Sequence, residues 1–175
     1  MAYTIQQADA GYTPIANIDT GFTTPNSATL IPTPPNQLGM VVKAVDPTFG
    51  AGEFILLAGV ASTVVGSVVA YNTASFTTAL APVGANLPQP IAIAMSANIL
   101  ATTFGWYQIS GVAVAAKTSG LALASAAAVG IKTIGLIATT GTGKEVQGAL
   151  TAAKATVPKT VRLIISRPHM QGRVT

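Results

Sequence analysis

Between Glu53 and Lys117 the chain runs for 63 residues without an Asp, Glu, Lys or Arg. About one-quarter of a typical soluble domain is charged, so a stretch of this length ordinarily holds roughly fifteen charges. Charged side chains keep a folded surface solvated and apart from its neighbours. A chain that omits them must either enter lipid or cover much of itself with protein. The omission also removes most of the groups that perform acid–base and nucleophilic chemistry.

Lipid is the weaker of the two outcomes. The best candidate span, FILLAGVASTVVGSVVA at residues 54–70, lies at the lower edge of the length that crosses a bilayer. Gly59, Ser62, Thr63, Gly66 and Ser67 dilute it, its valines favour a pleated surface, and no Lys/Arg cluster flanks it to set an orientation. Half of the 175 residues are hydrophobic and only 8% are charged, which opposes disorder over most of the length. The size suits one domain. There is no cysteine, hence no disulfide framework and no thiolate metal site. The opening MAYTIQQADAGY has neither a basic nor an apolar leader region, so no secretory signal is expected.

The punctuation of the chain is that of short strands. Residues 1–40 read as an extended arm, rich in Thr and carrying Pro14, Pro25, Pro32, Pro34 and Pro35. Proline removes backbone donors and forces extended neighbours. Phe22, Leu30 and Ile31 are its expected apolar anchors, ordered on a partner. Residues 41–167 then read as a single β domain. Strands are expected at 40–45, 53–60, 62–72 and 91–97, as a WYQIS/VAVAA pair around Gly111 within 104–117, and at 160–166. Residues 76–90 read as loop. Residues 121–138 lean toward strands, with a short helical turn at 122–128 as the alternative, and 145–155 reads as a short helix or a loop. The tail 168–175, PHMQGRVT, is expected to be exposed or bound to a partner. Strands broken by Gly and Pro every ten or so residues predict an all-β fold. The expected form is an antiparallel β-sandwich, jelly-roll-like, or a small β-barrel, with the extended N-terminal arm.

Charge is displaced toward the C-terminus. Residues 1–42 carry only Asp9 and Asp19, whereas residues 117–175 hold eight basic side chains against Glu145 alone. The basic residues are scattered and no aromatic follows Tyr107, so no stacking platform for nucleic acid accompanies them. An acidic protein neighbour is the better match, with Arg162, Arg167 and Arg173 as expected contacts.

Reaction chemistry finds little support. GTGKE at 141–145 lacks the Ser/Thr that follows Gly-Lys in a phosphate loop and places Glu145 there, where a carboxylate would repel phosphate; a tight turn is expected. His169 is the only histidine, beside Pro168 in a polar tail, which is a poor setting for a general base or metal site. Asp46 and Glu53 flank a glycine-rich turn and could approach one another, but turn capping or pairing with Lys43 is the ordinary explanation. Trp106 and Tyr107 point to opposite faces of a strand, one expected in the core and one outward. No enzyme activity and no cofactor or metal are expected.

The run VDPTFGAGEFILLAGVASTVVGSVVAYN, followed by AIAMSANILATTFGWYQISGVAVA, resembles the capsid decoration, cement or head-stabilising proteins of tailed bacteriophages. The resemblance covers about residues 39–117 and rests on sequence style, since such proteins have no catalytic signature. It implies an all-β structural protein made in the host cytoplasm and carried on the virion. It further implies binding to the major capsid protein and to copies of itself, as a trimer or dimer, with no direct contact to nucleic acid or membrane. Two other classes stay open: a virion- or cell-surface adhesin contacting glycan through Trp106 or Tyr107, and a small membrane-associated protein.

Overall fold

A computed structural model describes residues 4–5, 14–19, 22–23, 32–34, 36–155 and 158–172. Within these residues every regular element is a strand. In chain order they are β1 (Thr4–Ile5), β2 (Ile18–Asp19), β3 (Phe22–Thr23), β4 (Pro32–Thr33), β5 (Val41–Asp46), β6 (Gly50–Ala58) and β7 (Val68–Tyr71). There follow β8 (Thr78–Leu80), β9 (Ile91–Ala94), β10 (Phe104–Ala116), β11 (Ala128–Thr133), β12 (Leu136–Thr139), β13 (Glu145–Thr151) and β14 (Thr160–Met170). All ladders between them are antiparallel, as the all-β expectation requires.

β10 is the spine. Its first half, Phe104–Gln108, pairs with Ala58–Phe54 of β6, and also meets β2 at Phe104–Gly105 and β9 at Tyr107–Gln108. Its second half, Ser110–Ala116, pairs with Ser166–Thr160 of β14. The expected WYQIS/VAVAA pair is therefore one continuous strand. Gly111 does not reverse the chain; it stands at φ +97°, and a Cβ there would lie 2.4 Å from the Ala51 carbonyl oxygen. The β6–β10 register shifts between Gln108 and Ser110, a bulge that bends the strand as it changes partners.

The sheet continues from β14 through β13 and β11 to β12 and curls over. Its far end touches the end of β10 through the Lys117–Ile137 bridge and the start of β7 through the Val68 N–H to Gly135 carbonyl bond of 2.9 Å. These are isolated contacts rather than a ladder, so the sheet packs in layers as a sandwich and does not close into a barrel.

Three apolar clusters fill it. One, with Val129, Ile131, Ile137, Leu163 and Ile165, lies inside the curl of the C-terminal strands. The other two lie on opposite faces of β6 and the first half of β10: Phe54, Leu56 and Trp106 on one, Ile55, Leu57, Tyr107 and Ile109 on the other. Trp106 and Tyr107 do face opposite ways, but both are completely buried, because that region is covered on both sides.

Several local expectations give way to tertiary context. The strand expected from residue 62 begins only at Val68, because Ser62 and Gly66 adopt positive φ and the Ser67 hydroxyl accepts the Val64 N–H at 3.0 Å. The segment expected as loop contains β8, hydrogen-bonded to β7. No helix forms at 122–128 or 145–155; the latter is largely β13, held between β11 and β14, since ladder pairing outweighs the helix propensity of its alanines. β14 runs on through Met170, with Pro168 and Met170 buried and His169 exposed.

The arm is partly built into the body. β1 extends β5, β2 extends β10, and Ile15 is 1% exposed among Phe54, Leu56 and Trp106. Phe22 lies in β3, paired with β4. Leu30, Ile31 and Arg173 lie outside the described residues.

Candidate protein-docking face

The outer face of the C-terminal strands is where the sequence-predicted cations and an unexpected apolar row meet. β14 alternates strictly over residues 161–166. Val161, Leu163 and Ile165 enter the core; Arg162, Ile164 and Ser166 face outward. Register then lines up the outward residues across four strands: Val112 on β10 opposite Ile164, Ile164 opposite Leu150 on β13, and Leu150 opposite Ala128 on β11. Ile164 and Leu150 are 55% and 47% exposed. Cross-strand neighbours on one face lie close enough to form a single contact surface.

Arg162 and Arg167 flank this row. Arg162 stands across from Val114, with its guanidinium 5.3 Å from the centroid of the Phe49 ring, a distance at which the ring attracts the cation. Arg167 adopts φ +43° and pairs with Glu53 at 3.1 Å. Both side chains are solvent-accessible, 69% and 26%, so the pair contributes at most about 1 kcal/mol. Arg167 also acts on Tyr71, whose hydroxyl pKa is pushed up by burial and partly drawn back by the guanidinium.

The remaining charged candidates resolve into structural duties. The Asp46 carboxylate accepts the N–H groups of Thr48 and Phe49 at 2.7 and 3.0 Å and caps the β5–β6 turn. Glu53 sits directly across from Lys43. Asp46 and Glu53 stand three register positions apart, on the order of 10 Å, and form no carboxylate pair. Residues 141–144 make the tight turn expected, closed by a Lys144 N–H to Gly141 carbonyl bond of 2.9 Å. His169 meets Gln147 at 2.7 Å. Lys117, read as one of the scattered surface cations, is 3% exposed. Its ammonium donates to the carbonyls of Leu121 and Pro158 at 2.7 and 2.8 Å and ties two loops to the end of β10. Among the described residues no three His, Asp or Glu side chains gather as metal ligands, and no helix is long and apolar enough to cross a membrane.

The aromatic pair forms no outward platform. The Tyr107 hydroxyl and the Asn98 amide lie 3.3 Å apart as a buried hydrogen-bonded pair, and burial pushes the Tyr107 pKa up to about 12. Trp106 is equally enclosed.

Sequence reasoning missed Phe49 and Leu150 as surface-forming residues. Ile164 carried a signal, an aliphatic at an outward position of an alternating strand. Leu150 carried none once its segment read as helix or loop, and Phe49 sits in a turn. A second exposed aliphatic group, Val64, Val65, Ile99 and Leu100, lies on the turns beyond β6 and β9, in the stretch that carries no charge. Compared with protein-family models and with curated proteins, the chain matches none.

Proposed function

We propose that the chain is a non-enzymatic structural virion protein that binds the outer surface of a phage capsid and stabilises it by bridging neighbouring capsid subunits. On this reading the partners are the major capsid protein and further copies of the chain, in a trimer or dimer. The observation that supports it most is the outward row of Val112, Ile164 and Leu150 on paired strands, flanked by Arg162 and Arg167. Sheet pairing holds such a face rigid, so little ordering cost opposes association. Modest contacts repeated over a shell then add through multivalency.

The glycan-binding alternative loses its named contacts, because Trp106 and Tyr107 are both buried.

The test is co-sedimentation with undecorated heads of the phage that encodes the chain. Wild-type protein is expected to pellet with the heads, and Ile164→Asp to remain in the supernatant while keeping its fold. Failure of the wild type to pellet overturns the capsid reading. Equal pelleting of Ile164→Asp removes this face from it.

A further inference from the structure

Beside the apolar row, a cleft of about 330 Å³ opens between the β5–β6 turn and β14, lined by Phe49, Val114, Lys154, Ala155, Val161 and Arg162 among others. Its size is at the lower end of ligand cavities, roughly 300–1,000 Å³, and suits a side chain or two rather than a cofactor. The wall is divided by chemistry. Phe49, Val114 and Ala155 supply an apolar floor, and Lys154 and Arg162 supply an exposed cationic rim.

Among the described residues no carboxylate lines the cleft, and Glu53 is engaged by Arg167. The neighbouring acid, Asp46, is 4% exposed and turned onto the Thr48 and Phe49 amides. Lys159, exposed beside the lining residue Thr160, adds a further positive charge. The Arg162 guanidinium lies 5.3 Å from the Phe49 ring centroid at the cleft wall, and its planar fork matches a carboxylate.

We infer that this cleft binds an acidic peptide segment of the partner protein, with an aliphatic side chain on the Phe49–Val114 floor and a flanking carboxylate on Arg162 and Lys154. The inference rests on the capsid reading and names the chemistry of the surface that this face meets. Two of these cationic faces repel each other, so a second copy of the same face is the wrong occupant. Nucleic acid is also a poor match, since the cleft offers two cations over an apolar floor and no exposed stacking platform.

The test uses the isolated full chain and rhodamine-labelled peptides read by fluorescence anisotropy. One peptide alternates Leu with Asp, a second replaces each Asp by Asn, and a third replaces each Leu by Ser. The Leu/Asp peptide is expected to bind, more weakly as salt rises, and both control peptides to bind at least about tenfold less tightly. Arg162→Gln and Lys154→Gln, exposed changes that leave the core untouched, are expected to weaken it, and Arg167→Gln, outside the cleft, to leave it unchanged. Absence of wild-type binding, equal binding of the Asn peptide, or indifference to Arg162→Gln overturns the inference. So does a change of oligomeric state in Arg162→Glu by analytical ultracentrifugation, which would assign the face to a second copy. Heads that capture wild type and Arg162→Gln equally, with no peptide binding, would sink the cleft and leave the capsid reading standing. Peptide binding without head binding would do the reverse.

Discussion

β6 with the first half of β10, and β13 with β14, are paired antiparallel strands of one sheet, yet they are built on different terms. In the first region both faces are covered: Phe54 through Ala58 are all buried, as are Phe104 through Ile109. In the second only one face is covered, and Ile164 and Leu150 stand outward opposite each other. A strand buried on both faces disfavours charge, because an unpaired buried charge costs several kcal/mol. A strand buried on one face alternates and can carry arginines. The two regions therefore divide labour: one holds the fold together, and the other offers a surface.

The comparison breaks if both regions respond alike to truncation. Trp106→Ala is expected to have the largest effect, about 3–5 kcal/mol lost in urea unfolding, since the indole is wholly enclosed. Ile15→Ala should cost about 2–4 kcal/mol although it lies in the Pro/Thr-rich arm; a negligible loss would detach the arm from the core. Tyr107→Phe is expected to cost about 1 kcal/mol and to change the alkaline limb of stability. Burial raises the phenol pKa from 10.0 to about 12. The unfolded chain then releases its proton first, and stability present below pH 10 is lost as pH rises toward about 12. Urea midpoints across that window should fall less steeply for Tyr107→Phe than for wild type; parallel slopes would place the tyrosine in a wetter site. The smallest effect belongs to the outer face. Ile164→Ser should change stability by no more than about 0.5 kcal/mol while lowering capture by phage heads.

Legibility followed the range of the determining interactions. The alternation of Val161, Arg162, Leu163, Ile164 and Ile165 is local and marked both a strand and its outward residues. FILL at 54–57 marked a buried strand for the same reason. Gly111 was visible as a break, but whether it turned the chain or bulged it depended on which strand lay beyond, and β14 arrives some fifty residues later. Ile15 was invisible as a core residue, because one isoleucine between Pro14 and Ala16 has no periodicity. Of the expected interface residues, Arg162 and Arg167 lie on the outer face of the C-terminal strands, whereas Leu150 and Phe49 reached it only through contacts distant in sequence.

The sequence by itself determined the all-β class, the poverty of acid–base chemistry, the charge-free centre and the displacement of cations toward the C-terminus. These properties are written in residue type and short-range spacing. Only the tertiary structure decided that β10 is one strand shared by two partners and that both aromatics are buried. It also decided that Lys117 is interior and that Val112, Ile164 and Leu150 form one row beside Arg162. The physical reason is that register and second-face coverage arise from strands distant in the chain, and no local pattern records which neighbours will arrive.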